Sequence, residues 1–186
     1  DELDLSSENN IKRYFEKNQF NVIINCAAYT AVDKAEQEEE LANQVNHLAL
    51  KQLAIISNKQ HARLIHISTD YVFDGKINKP YIETDIANPI NVYGKTKLAG
   101  EKVIQELMPN NVIIIRTSSL YSEYDKNFVK TILRLGKEQN ELSVVNDQIS
   151  SPTYASDLAG VILEIIGNKG YQAKDRLTEI YHYSNK

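Results

Sequence analysis

Apolar positions along the chain fall into short continuous runs separated by stretches with helical spacing. Asn21 to Cys26, Arg63 to Ser68 and Asn111 to Thr117 read as strands. Their runs are continuous rather than alternating, as expected where helices cover both faces of a parallel sheet. Before the first run, Ser6 or Ser7 caps a helix carrying Ile11, Tyr14 and Phe15 on one face and ending near Asn18. From about Glu36 a long helix is predicted to bury Leu41, Val45, Leu48 and Ile55 or Ile56, with Glu38, Glu39 and Glu40 solvated at its positive end. A third helix runs from about Asn91, just after Pro89, to Leu107. A fourth carries Phe128, Ile132, Leu133 and Leu135 behind Asp125 as its cap. A short strand around Leu142 to Val145, a helix from about Ser156 to Ile166 and a strand near Ile180 complete the pattern.

Strand and helix alternate four or more times without an internal repeat, which predicts an α/β fold: a doubly wound parallel sheet of the Rossmann-like kind. At 186 residues the chain can bury one large core. The connection from Thr69 to Asn88 is long, and loops of that length inside a compact domain are usually functional or mobile. A dinucleotide-binding sheet of this type opens with a strand, a glycine-rich turn and a helix whose N-terminus holds the pyrophosphate. Here there are seven glycines and no Gly-x-Gly, and Asp1-Glu2-Leu3-Asp4-Leu5 reads as the tail of a strand entering mid-fold. The expectation is a fold lacking its first strand-turn-helix unit.

Composition narrows the partners. A net charge of -4 and a pI near 5.6 give no basic footprint for nucleic acid. No run approaches the ~18 apolar residues of a membrane span. The single cysteine, Cys26, forms no intrachain disulfide, suits a reducing cytoplasm, and reads as a small buried hydrophobe. The four histidines, His47, His61, His66 and His182, show no metal-ligand spacing, so no metal site is assigned.

Candidate chemistry lies in Tyr93-Gly94-Lys95-Thr96-Lys97. Near the start of a helix, Tyr93 and Lys97 stand one turn apart on the same face. An ammonium beside a phenol favours the phenolate and draws its pKa down toward physiological pH, which suits a proton donor to a developing alkoxide. Thr69 ends an apolar run, where its hydroxyl emerges at the C-terminal end of a strand, the ligand-binding edge of open α/β sheets. Ala27-Ala28-Tyr29-Thr30 follows the first strand as a loop of small residues that a flat ligand can approach.

Three blocks carry a resemblance: Asn25 to Glu36, Ser68 to Gly75 and Tyr93 to Glu101, continued by Arg116-Thr117-Ser118, Asn127-Phe128, Asn146-Asp147-Gln148 and Pro152-Thr153. Together they resemble the dTDP-4-dehydrorhamnose reductases, extended short-chain dehydrogenase/reductases, over nearly the whole chain. The resemblance implies an internal fragment, with residues 1–120 as an N-terminally truncated dinucleotide-binding core. Residues 121–186 would complete that core and begin a small substrate-binding region. It implies Tyr93 as proton donor, Lys97 as the group that lowers its pKa and holds the nicotinamide ribose, and Thr69 as the carbonyl-polarising hydroxyl. Asp70 would touch the sugar nucleotide. Ala28, Tyr29 and Thr30 would line the cofactor, and Asp4 with Leu5 would lie beside its adenosine. Ser119 stands where many members have a substrate-contacting tryptophan, and this chain has none. The implied activity is NADPH- or NADH-dependent reduction of the 4-keto group of dTDP-4-dehydro-L-rhamnose, in the cytoplasm, for rhamnose and cell-surface polysaccharide synthesis. The resemblance leaves room for magnesium and for a homodimer. Two other readings share it: a non-catalytic homologue like the beta subunit of methionine adenosyltransferase, and another sugar-nucleotide epimerase or dehydratase.

Overall fold

The computed structural model describes residues 3–124, 126–168, 170–171 and 177–185. In chain order the elements are α1 (Glu8–Lys17), β1 (Val22–Asn25), α2 (Val32–Ala35), α3 (Glu39–Asn43), a π-turn (Gln44–Leu48), α4 (Ala49–Gln60), β2 (Arg63–Thr69) and a 3-10 turn (Asp70–Val72). There follow α5 (Val92–Leu107), β3 (Val112–Thr117), β4 (Leu120–Tyr121), α6 (Phe128–Glu138), β5 (Thr153–Tyr154), α7 (Ala155–Gly167) and β6 (Glu179–Tyr183). The chain divides into two compact units, residues 1–116 with 174–182 and residues 117–173 with 183–186.

The first unit is built on a sheet in the order β1-β2-β3-β6. β1 and β2 are parallel, with Val22 opposite Arg63 and Asn25 opposite His66. Ser7 caps α1 by accepting from Asn10 N–H, and the helix turns Ile11 and Phe15 inward. These meet Ile23, Leu64, Val112 and Ile114 of the strands, Leu50 and Leu53 of α4, and Ile104 of α5 in one core. Each such side chain, fully buried, contributes about 1.5–3 kcal/mol. The alternating strand-helix order and the sheet bear out the Rossmann-like α/β expectation.

Several local expectations need correction. Burial along β1 is not continuous, since Ile24 is 42% exposed and Cys26 lies at the surface. Of the expected strand tail, Asp1 and Glu2 lie outside the described residues, and Leu3 to Leu5 run into a turn held by the Asp4 carboxylate, which accepts from Ser6 N–H at 2.8 Å and Ser6 Oγ at 2.7 Å. The single long helix from Glu36 is instead α3, a π-turn and α4. Its buried face is Ala42, Asn46, Ala49, Leu50 and Leu53; Leu41, Leu48 and Ile55 face outward, and Ile56, the alternative to Ile55, packs against the core. The π-turn adds a residue to the helical repeat and so rotates the face, and small residues win the inner positions because α5 packs closely there.

In the second unit β4 and β5 pair in parallel, Leu120 opposite Thr153 and Tyr121 opposite Tyr154, joined by Thr117 Oγ1 donating to Thr153 Oγ1 at 2.8 Å. Neither strand shows in the sequence pattern, because two residues make no run. Asn127 caps α6 by accepting from Lys130 N–H at 3.0 Å. The cap expected at Asp125 lies outside the described residues. Phe128 and Leu133 of α6 are exposed, and α7 buries Leu158 and Ile162. Residues 142–145 form no strand, and β-propensity alone does not make one.

Candidate functional site

α5 sets the site. Asn91 caps it by accepting from Gly94 N–H at 2.7 Å, and Val92 N–H donates to Glu36 Oε1 at 2.8 Å, so the first turn is fixed to the segment after α2. A Cβ at Gly94 would meet Tyr71 O at 2.1 Å. Only glycine lets the 3-10 turn lie directly on the helix, and that contact brings Thr69, Asp70 and Tyr71 against the turn carrying Tyr93. Tyr71 and Tyr93 meet edge to face, their ring centroids 5.5 Å apart. Farther along, a Cβ at Gly100 would meet Asn46 O at 2.2 Å, which places α5 against the π-turn.

Tyr93 is 8% exposed and Lys97 2%, both on the face of α5 turned to the sheet. Lys97 Nζ donates to Ile67 O at 2.7 Å and lies 3.3 Å from His66 Nε2. Burial lowers its pKa to about 8, against the opposing pull of Glu101 and Cys26. The Thr69 hydroxyl accepts from Tyr71 N–H at 3.2 Å and donates to Asp70 Oδ1 at 3.1 Å. Burial moves the Tyr93 phenol up from its ordinary value; the neighbouring Thr69 hydroxyl opposes this, and the charge of Asp70 adds to it. The expectation of a lowered Tyr93 pKa is therefore corrected for this structure. The Lys97 ammonium is turned to Ile67 O and His66, and desolvation dominates.

Asn46 ties the loop after β1 to α5, and Tyr29 of that loop packs against Val92 and Tyr93. Asn46 Oδ1 accepts from Tyr29 N–H at 2.8 Å, while Asn46 Nδ2 donates to Tyr29 O and to Thr96 Oγ1, each at 3.1 Å. Thr96 Oγ1 donates in turn to Tyr93 O at 2.9 Å. The Tyr29 hydroxyl donates to Glu38 Oε2 at 2.5 Å, a bond that pushes the phenol up to about 12. Ala28 is half-buried and Thr30 exposed on this loop. Beneath the site, the buried Glu101 accepts from Ser68 Oγ at 2.5 Å and from Arg116 Nη2 at 2.6 Å, and the Arg116 guanidinium lies over the Phe73 ring.

The structure thus gathers Thr69, Asp70, Tyr93 and Lys97 at the ends of β2 and α5, with Tyr29 tied to the same helix. Asp4 and Leu5 sit elsewhere in the first unit, at the entry to α1, where Asp4 N–H donates to Asn10 Oδ1. Ser119 belongs to the second unit, with backbone in the left-handed region (φ 45°) and its Oγ 2.8 Å from Ser150 Oγ. Sequence reasoning missed Asn46, His66 and Glu101. A signal existed for two of them: a polar residue at the inward position of the Ala42-Asn46-Ala49 spacing, and a histidine inside the run of β2.

A buried phenol and ammonium one turn apart on a helix that flanks a parallel sheet, with a hydroxyl at the strand end, define a Rossmann-like α/β protein with a Tyr-x-x-x-Lys helix. All of residues 1–186 match the family described as RmlD substrate binding domain, and the chain belongs to that family. It is 43% identical over 185 residues to a dTDP-4-dehydrorhamnose reductase of Aggregatibacter actinomycetemcomitans, covering 100% of this chain and 62% of that protein. With the Escherichia coli K12 protein of the same name it shares 51% identity over 138 residues, 74% of this chain and 46% of the relative. A crystal structure of dTDP-4-dehydrorhamnose reductase from Bacillus anthracis in complex with NADP superimposes with a TM-score of 0.90 at 43% identity, covering 100% of this chain and 63% of that one. The chain spans under two thirds of the length of these relatives.

Proposed function

We propose that the protein carrying this chain is an NADPH- or NADH-dependent reductase of a nucleotide-sugar ketone, converting dTDP-4-dehydro-L-rhamnose to dTDP-L-rhamnose. The observation that carries this reading is the buried Tyr93 and Lys97 pair facing Thr69 at the end of β2. Relatives of the same name and the NADP held by the Bacillus anthracis structure support it.

The residues present fit the nicotinamide-ribose end of such a cofactor. An ammonium has three N–H donors. Those of Lys97 face Ile67 O and His66 among the described residues, which leaves one for a ribose hydroxyl. The small residues at Ala27 and Ala28 open the strand end to a flat ring. When bound, the dinucleotide supplies the hydride. Tyr93 delivers the proton to the developing alkoxide, Thr69 polarises the carbonyl by turning its hydroxyl hydrogen from Asp70 Oδ1 to the substrate oxygen, and Lys97 holds positive charge one turn along α5. A raised phenol pKa keeps Tyr93 protonated, as a donor must be, and the Lys97 ammonium one turn away favours the phenolate it leaves. Asp70 is assigned to the sugar nucleotide, Ala28, Tyr29 and Thr30 to the cofactor, Asp4 and Leu5 to its adenosine, and Ser119 to the sugar in place of the family's tryptophan. Among the described residues no helix is long and apolar enough to cross a membrane. A cytoplasmic enzyme acting on a diffusible nucleotide sugar, with room for a homodimer and for magnesium, completes the reading.

Tyr93→Phe tests it in the full-length protein, because the ring is kept and only the proton is removed. Turnover of dTDP-4-dehydro-L-rhamnose should fall on the order of 10²–10⁴-fold with KM little changed. Wild-type kcat in the variant, where chemistry limits the rate, would overturn the assignment and favour a non-catalytic homologue.

A further inference from the structure

We propose that His66 is a positioning residue for Lys97: a neutral imidazole protonated on Nδ1, whose Nε2 accepts a hydrogen bond from the buried ammonium and aims it at the ends of β1 and β2. The hydrogen bond stands on geometry alone, and only its consequence for turnover rests on the reductase reading.

His66 has no exposed surface, in a strand whose neighbours Leu64 and Ile65 are equally buried. Such a position ordinarily takes an apolar residue. The parallel register sets Asn25 opposite it, with Asn25 Nδ2 3.0 Å from Nδ1, while Lys97 Nζ lies 3.3 Å from Nε2. Both atoms facing the ring are placed as donors, yet a neutral imidazole offers one donor and one acceptor. An asparagine amide can be turned about to exchange its oxygen and nitrogen, whereas an ammonium only donates. The consistent arrangement therefore has Nδ1–H donating to Asn25 and Nε2 accepting from Lys97.

An imidazolium would set two donors, both cationic, against each other in the interior. Burial and the Lys97 charge together hold His66 well below the usual histidine range. The groups facing Lys97 are then the Ile67 carbonyl and His66 from β2, Glu101 from its own helix and Cys26 from the loop after β1. Without an acceptor at position 66, the ammonium keeps one backbone partner and becomes harder to protonate. Its alternative, a histidine that only fills space, predicts no such dependence.

The test uses the full-length protein and reads Lys97 directly, by nuclear magnetic resonance of isotope-labelled lysine across pH. His66→Phe keeps the ring volume and no nitrogen, His66→Asn places polar atoms near Nδ1 only, and His66→Gln reaches the Nε2 position with an oxygen. Lys97 should titrate about one to two pH units lower in the Phe and Asn variants and near the wild-type pH in the Gln variant. KM for NADPH should rise severalfold, and the alkaline limb of the pH–rate profile should move down, in the first two alone. Unchanged Lys97 titration in His66→Phe, or a Gln variant shifted as far as Phe, overturns the proposal. Should the Phe variant not fold, the wild-type His66 tautomer decides: protonation on Nδ1 supports the proposal and protonation on Nε2 overturns it. If the expected titrations appear in a protein without reductase activity, the reductase reading falls and the His66 assignment stands.

Discussion

Lys97 and Arg116 are both buried cations, and their settings differ. Arg116 sits on the carboxylate of Glu101, so its charge is answered within the fold. Lys97 has a carbonyl and an imidazole, and its pKa of about 8 records a charge held without a full counter-ion. The folded value lies below the ordinary lysine value of 10.5. The unfolded chain therefore binds more protons between those pH values, and stability should rise with pH across that window. Lys97→Met keeps the stem and removes the charge, so the rise should vanish, and at neutral pH the variant should be as stable as wild type or up to about 3 kcal/mol more so. Urea unfolding at several pH values checks this, and a variant clearly less stable at neutral pH would mark Lys97 as structural. Tyr93 with Lys97 was legible because helical spacing alone puts them on one face. The pairings of Glu101, His66 and Asn46 were not, since their partners lie 15 to 50 residues away. The direction of the Tyr93 shift was misread for a related reason: the sequence places Lys97 nearby but says nothing of where its ammonium points.

At the scale of elements, the contact between α5 and the π-turn decides where the site is held. Gly100→Ala would drive a Cβ to 2.2 Å from a backbone oxygen with no flexible side chain to yield. The variant should lose about 1–3 kcal/mol, seen as a lower urea midpoint with unchanged slope. Gly136→Ala on α6 meets nothing within 4 Å and should be neutral or stabilise by up to about 1 kcal/mol. Equal behaviour of the two would show that the helices are not in such close contact. The Ser7 cap, β2, β3, α5 and α7 were readable from periodicity and capping residues. The inner face of the stretch from α3 through the π-turn to α4 was not. Leu41, Leu48 and Ile55 recur every seven residues and look like a core stripe, yet the π-turn and the small residues demanded by Gly100 turn Ala42, Asn46 and Ala49 inward. Residues 142–145 failed as a strand because β-propensity alone does not make one.

For the molecule as a whole, the alternation of elements made the α/β sheet legible, while the division of the chain depends on a strand that returns late. β6 pairs beside β3, so along the chain most of the second unit is inserted between two strands that are neighbours in one sheet. Residues 139–152 carry no helix or strand, and Ile149 lies wholly at the surface. Limited proteolysis should cut there before it cuts α4, α5 or β2. First cleavage within α5 would contradict this ordering. A single cut in that stretch would not release either product. The C-terminal piece would still hold β5 against β4 and β6 against β3, so the halves should travel together on gel filtration and part only in denaturant. On that outcome the chain would be divisible into two complementing fragments, made separately and joined by their strands.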